Sequence, residues 1–414
     1  MMNHHKPTPI NKKFFTPGTI ALSLIALTGI TFLMGRFLFG LGAVTNLNDQ
    51  FPWGIWIGLD VAAGVALAAG GFTTAALGHI MHRDKYETII RPALLTAMLG
   101  YTFVALSVSV DIGRWYYIWH PLIMWNGNSA LFEVGICVML YVSVLYIEFL
   151  PIVTERFMGK VNLPGILSKL NGVIDKLLRA LDRGLDKTMF VFIIAGVVLS
   201  CLHQSSLGTL MIIAGPKMHP LWQTPILPLL FLLSAISVGF PMVIAESLSA
   251  SRSFGLKPET EVLSSLSRFI APLLGIYLLG KLGDIVIRET FVYLTEFNSI
   301  SILFGIEIIV GVVVPLRMFL SADVRKSPTG LFIASMLVIF GVLMNRFNNF
   351  VTAYNPPYAI EAYFPSVGEI FVTLGFVAIE ILLYRLFVII FPVISIPVSK
   401  AYANTKYAIR GVLK

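Results

Sequence analysis

Asp60, Asp111, Glu133, His203 and Gln204 are the residues whose type and setting could do chemistry, because each sits inside or at the end of an apolar run. An ionisable group within a bilayer costs at least about 2.5–3.5 kcal/mol on insertion scales, so it needs a partner or a task. Carboxylates and an imidazole held near one depth can hydrogen-bond the head group of a polar ligand and exchange protons with it. Arg36 and Arg114 fall at a comparable level and would hold negative charge developing on that ligand. The competing reading of the same residues is a set of ion pairs that fixes helix register. A deeper set comprises His79, Glu148, Glu246, Arg268, Glu307 and Glu380, with Thr73, Thr74 and Ser249 as hydroxyl neighbours. Chains of this kind carry protons in pumps. Pairing of Glu246 with Arg268, or of Glu380 with Arg385, is the structural alternative.

The elements that must position these residues are membrane spans. The chain has 414 residues, 57% hydrophobic and 13% charged, against about 25% charged in an ordinary soluble domain. That composition excludes a soluble globular domain, a disordered chain and a nucleic-acid binder. Stretches long enough to cross a bilayer, roughly 20 residues, are expected at 19–41, 53–78, 92–110, 129–150, 189–213, 225–248, 263–285, 298–316, 328–346 and 367–391. The first run is too long for the apolar core of a cleaved signal and is read as a retained span.

The net charge of +8 is an address. Of 30 Lys and Arg, 22 fall on one side of the alternating spans. Five (Arg114, Lys217, Lys281, Arg288 and Arg346) fall on the other, and Arg36, Arg268 and Arg385 lie within spans. By the positive-inside rule both termini are cytoplasmic. Segment 165–186 has apolar residues at helical spacing and reads as an amphipathic helix at the cytoplasmic interface. The outer loops carry aromatic and proline signals, and the long loop 347–366 reads as a docking surface for an extracytoplasmic partner.

Short matches recur between the two halves: Arg91 with Arg268, Asp111 with Asp284 and Asn128-Ser129 with Asn298-Ser299, at offsets of 177, 173 and 170 residues. They point to a parallel duplication of spans 2–5 onto spans 6–9. The fold class expected is therefore an all-α integral membrane protein of ten transmembrane helices. Two four-helix bundles are flanked by spans 1 and 10, and the chain divides at 1–52, 53–214, 215–348 and 349–414. The two cysteines, Cys137 and Cys201, form no cluster motif, which argues against an iron–sulfur cluster in this chain. Of seven histidines only His79 and His203 fall within spans, and toward opposite faces, so no facing pair for a b-type haem is expected. No metal site is expected either. Buried charge and a repeat also fit a secondary transporter. The expected lack of prolines inside spans 2–5 and the outer placement of the polar set weigh against it.

Several longer motifs carry a resemblance. They are Phe51-Pro-Trp-Gly-Ile-Trp-Ile-Gly-Leu-Asp60, Arg91-Pro-Ala-Leu-Leu, Asp111-Ile-Gly-Arg114, Leu131-Phe-Glu133, His203-Gln-Ser-Ser-Leu-Gly, His219-Pro-Leu-Trp222 and Tyr363-Phe-Pro365 with Glu369 and Glu380. In these the chain resembles the NrfD/PsrC family of quinone-interacting membrane subunits. It looks most like the ten-helix branch, which includes membrane subunits of periplasmic nickel–iron hydrogenase and of menaquinone reductase complexes. The resemblance implies a bacterial inner-membrane subunit without a redox cofactor of its own. It implies menaquinone as substrate in the first bundle near the periplasmic face. The implied partner is a periplasmic iron–sulfur (ferredoxin-like) subunit, and through it a catalytic or multihaem cytochrome c protein. His203 and Asp60 would then meet the two quinone oxygens, and Asp111 and Glu133 would relay protons.

Overall fold

The computed structural model describes residues 5–80 and 84–397. His4, His82, Arg83 and the tail 398–414, all part of the charge and histidine census above, lie outside the described residues. The side chain of His79 does as well.

Ten helices among the described residues are long and apolar enough to cross a membrane. Spans 1 to 5 are Pro17–Phe39, Trp56–Gly78, Glu87–Asp111, Ala130–Phe157 and Leu167–Lys217. Spans 6 to 10 are Leu227–Phe254, Thr260–Ile287, Ser299–Leu320, Pro328–Thr352 and Val367–Ile390. The ends are set by local chemistry. Thr16 and Thr19 form a reciprocal cap on span 1, with Pro17 at its first turn. Ser129 accepts from the Phe132 amide and Asn298 from the Ser301 amide, so the repeated Asn-Ser pairs of the sequence are helix caps. Gly255 closes span 6 in the left-handed conformation.

Helix contacts run through the whole set of spans, with spans 5 and 6 packed closely together. Spans 2, 3, 4 and 5 close on one another in a ring, as do spans 6, 7, 8 and 9. Span 2 packs on span 6, and span 1 pairs with span 10 against spans 2 and 3. Close crossings need glycine. An ideal Cβ on Gly29 would stand 2.7 Å from Cα of Gly375 between spans 1 and 10, and one on Gly311 would stand 2.3 Å from Cα of Gly341 between spans 8 and 9. For orientation, the face carrying segments 112–129, 215–226 and 353–366 is called the aromatic face, and the opposite one the basic face.

Three expectations change. The amphipathic segment is no separate interfacial helix: it continues without a break into span 5 as one 44-residue helix, Asn171–Ala214. At 1.5 Å per residue that is about 66 Å, twice the hydrocarbon thickness, so its charged turns extend span 5 beyond the basic face. Lys281 and Arg346, counted with the outer loops, are 1% and 0% exposed inside spans 7 and 9. Spans 2–5 are also less regular than expected. Pro92 and Pro151 lie within spans 3 and 4 near their basic ends. Span 2 is wound as π-helix over Trp56–Ala63 and again over Ala76–Ile80, with a turn at Ala68.

Candidate functional site

The first polar group gathers at the aromatic ends of spans 1, 2, 3 and 10. Arg36 is 2% exposed. Its guanidinium donates to the carbonyls of Val110 and Ile112, each at 2.6 Å, and so caps the end of span 3 with a cation. That places it within electrostatic reach of Asp111, which is also in reach of Asp60 and Glu369. Asp60 lies in the π-wound turns of span 2, a geometry that re-aims side chains and recurs at functional sites. It accepts from the Thr373 hydroxyl at 2.9 Å. Asp111 keeps one buried oxygen with no protein donor. Glu369 is fully buried and accepts from the Tyr363 hydroxyl, the Ser366 amide and the Asn46 amide. Burial, and after it the bond to Glu369, push the Tyr363 phenol well above its usual value, so it keeps its proton at neutral pH.

A second set lies between spans 3, 4 and 5, running from Glu133 in the first turn of span 4 down to His203 and Tyr101. The Ser206 hydroxyl donates to Glu133 at 2.6 Å. His203 and Gln204, both 0% exposed, have both imidazole nitrogens and both amide atoms directed at no protein partner. The His203 ring lies 5.7 Å from that of Tyr101, which meets Tyr141 edge-on at 4.3 Å. Ser200 neighbours both phenols. Ser107 and Asp111, four residues apart, share one face of span 3, while Tyr101 lies about 120° round the helix from Ser107; each has a buried oxygen without a hydrogen bond in good geometry. Tyr101 and Asp111 stand about 15 Å apart along span 3, one beside each set.

The predicted residues therefore separate. Arg36, Asp60 and Asp111 come together, and Glu133, His203 and Gln204 belong to the second set. Arg114 is exposed on the aromatic face. Glu148 abuts Gly196 of span 5 and lies within reach of Tyr141. Glu246 and Glu380 do meet, between spans 6 and 10, beside Thr96 of span 3 and Tyr384. The Glu246 carboxylate and the Thr96 and Tyr384 hydroxyls are buried without a hydrogen bond in good geometry. Glu246 and Tyr384 also line a cleft of about 790 Å³ at the basic face.

Two members of the expected proton path, Arg268 and Glu307, sit elsewhere. Arg268 is exposed at the basic end of span 7, not paired with Glu246, and Arg385 bonds Ser253 and the Lys13 carbonyl instead of Glu380. Glu307 belongs to a cluster among spans 6 to 9. It accepts from Trp222 at 2.9 Å and from Asn345 and Asn348 at 2.7 Å each. Arg346 bonds Asn345 and Ser234 and stacks on Phe231, while Lys281 donates to the Leu221 carbonyl at 3.4 Å and lies 5.3 Å over the Phe304 ring. Asp284 takes Arg288 at 2.6 Å and Thr224 at 2.6 Å. The basic motif residue Arg91 ties span 3 to Glu155 at 2.8 Å and to the Pro392 carbonyl.

Sequence reasoning missed Tyr101, Ser107, Tyr141, Ser200 and Thr373. Ser107 and Asp111, four residues apart on one face of span 3, were the available signal. The cross-span neighbours carry none, because tyrosine and serine are common in spans.

The fold and this site define a multi-pass membrane protein whose polar chemistry is concentrated inside a helical bundle. Residues 43–356 match the family described as "Polysulphide reductase, NrfD", and the chain belongs to that family. It is 33% identical over 395 residues to the "Probable Ni/Fe-hydrogenase 2 b-type cytochrome subunit" of Escherichia coli (strain K12), covering 94% of this chain and 95% of that one. It is 28% identical over 356 residues to the "Menaquinone reductase, integral membrane subunit" of Nitratidesulfovibrio vulgaris, covering 80% of each. It is 22% identical over 376 residues to the "Hdr-like menaquinol oxidoreductase integral membrane subunit" of Archaeoglobus fulgidus, covering 85% of this chain and 87% of that one. A secondary transporter is not favoured by these likenesses.

The b-type cytochrome in the first relative's name can be tested against this chain's residues. A bis-imidazole haem needs two facing histidines and a slot between them. His203 is fully enclosed against Tyr101, and His79 belongs to the opposite end of span 2. His120 stacks on Tyr117 and Trp119, and His219 on Trp222 and Tyr293. These residues do not fit a haem.

Proposed function

We propose that this chain is the quinone-reactive membrane subunit of a respiratory redox complex in the bacterial inner membrane, with the aromatic face periplasmic, the basic face cytoplasmic and both termini on the cytoplasmic side. Menaquinone is the substrate, bound in the first bundle with its head group at Asp60 and Asp111. The observation that carries the reading is the group of buried polar atoms without a hydrogen bond in good geometry: those of Asp111, Ser107, Tyr101, Ser200, His203 and Gln204. Native interiors leave few such atoms, and a cluster of them fits a polar ligand and water.

Converting quinone to quinol takes two electrons and two protons. The electrons come from outside the chain, from an iron–sulfur partner seated on the aromatic face and supplied by a catalytic or cytochrome c protein. The protons are delivered by side chains. Asp60 and Asp111 stand closest to the face where electrons arrive. Arg36 offsets negative charge there, and His203, with Gln204 and Glu133, serves as donor and relay. Protons enter from the basic face, by the cleft that ends on Glu246 and Glu380 or along Glu148, Tyr141 and Tyr101. The second bundle, with its cations already bonded, serves as scaffold.

A photoreactive naphthoquinone added to the purified complex tests the placement. Labelled peptides are expected from spans 2, 3 and 5. Labelling confined to spans 6–9 would overturn it.

A further inference from the structure

Arg268, expected on the proton path, points away from it, and its surroundings indicate a different task. Three cations converge on a cleft of about 380 Å³ at the basic face: Lys85 before span 3, Arg268 at the base of span 7 and Lys326 before span 9. The remaining wall is polar, formed by the hydroxyls of Thr260, Ser264 and Ser265 and by Glu261. Among the described residues none of the three cations enters a hydrogen bond or ion pair. Three positive charges face one carboxylate, so the cleft carries an excess of two.

The walls are fixed. The Tyr86 hydroxyl bonds that of Ser265 at 3.1 Å, joining the start of span 3 to span 7. Arg325 donates to the Phe319 carbonyl at 2.6 Å, which anchors the short helix Ala322–Lys326 that presents Lys326. Cations and hydroxyls converging in this way suit the oxygens of a phosphate. The setting is a membrane interface: Phe269, next to Arg268, is 39% exposed. The larger cleft shares Lys85, Thr260 and Glu261 and adds the apolar walls of Pro92, Val243, Leu256 and Val262. Basic pockets between spans at this level bind anionic lipid head groups.

We propose that this cleft binds the phosphate of an anionic phospholipid, with an acyl chain along the adjoining apolar wall. The site adjoins the larger cleft proposed above as a proton entry, but its binding test does not depend on the quinone chemistry.

The test uses the purified full-length protein in detergent, with phosphatidylglycerol, phosphatidylcholine and inorganic phosphate as probes, read by native mass spectrometry and thermal unfolding. Phosphatidylglycerol is expected to form a retained adduct and raise the unfolding midpoint, and phosphatidylcholine to do neither. The triple substitution Lys85→Gln, Arg268→Gln, Lys326→Gln is expected to weaken phosphatidylglycerol binding about tenfold or more. Glu261→Gln, which removes the one opposing charge, is expected to strengthen it. The substitution Lys257→Gln removes a nearby cation that lines only the larger cleft, and should leave binding unchanged. Equal binding of both lipids, or unchanged binding in the triple variant, overturns the site. Displacement of the lipid by inorganic phosphate at comparable concentration overturns the lipid as its source.

Discussion

Glu307 shows how much one buried carboxylate can hold. Its two oxygens take the indole of Trp222 and the amides of Asn345 and Asn348, while Lys281 and Arg346 stand near with their charges enclosed. Removing one partner of a buried charge network costs about 3–5 kcal/mol, because the remaining charges lose their compensation. Glu307→Ala is therefore expected to lower the unfolding midpoint sharply, with Glu307→Gln intermediate because it preserves part of the hydrogen bonding. An unchanged midpoint in the alanine variant would show that the cluster bears no structural load. The residue scale is also where the sequence was least legible. An arginine near a span end looks the same whether it faces water, as Arg114 does, or is sealed inside, as Arg346 is. Only the partners contributed by other spans, Ser234 and Asn345, distinguish them.

Elements were legible where a long-range rule governs them. Each span was found because crossing a bilayer demands about 20 apolar residues. The windings within spans were not, because a π-turn depends on what packs against it. Such turns occur at Asp60, just after Glu307 at Ile309–Val313, and just after Arg346 at Asn348–Thr352. The continuity of span 5 did leave a signal: no proline or paired glycine interrupts residues 171–189. Packing between spans rests on glycine crossings. Gly311→Leu would drive a side chain into the backbone of Gly341 and should cost about 1–3 kcal/mol or more in stability. Gly305→Ala, on the same span but facing open space, should be tolerated. Comparing the yields and unfolding midpoints of the two variants checks this, and equal behaviour would contradict the close crossing.

For the whole molecule, the sequence supplied the ten spans and the family, and it named most of the residues that do assemble. It ran two clusters together, because depth along a span says nothing of which neighbour a side chain meets. Asp60 and Asp111 turned out to share a site with Arg36 and Glu369 at the aromatic end, and His203 turned out to lie apart from it, beside Tyr101. We propose that quinone chemistry occurs among these buried polar groups of the first spans. The most direct test is steady-state quinone turnover by the intact purified complex carrying Asp60→Asn or His203→Leu, compared with an equal amount of the unaltered complex. Positioned acid–base groups contribute about 10²–10⁴-fold, so the account predicts that each substitution lowers turnover by at least about tenfold while the complex stays assembled. Unchanged turnover in both variants would contradict it.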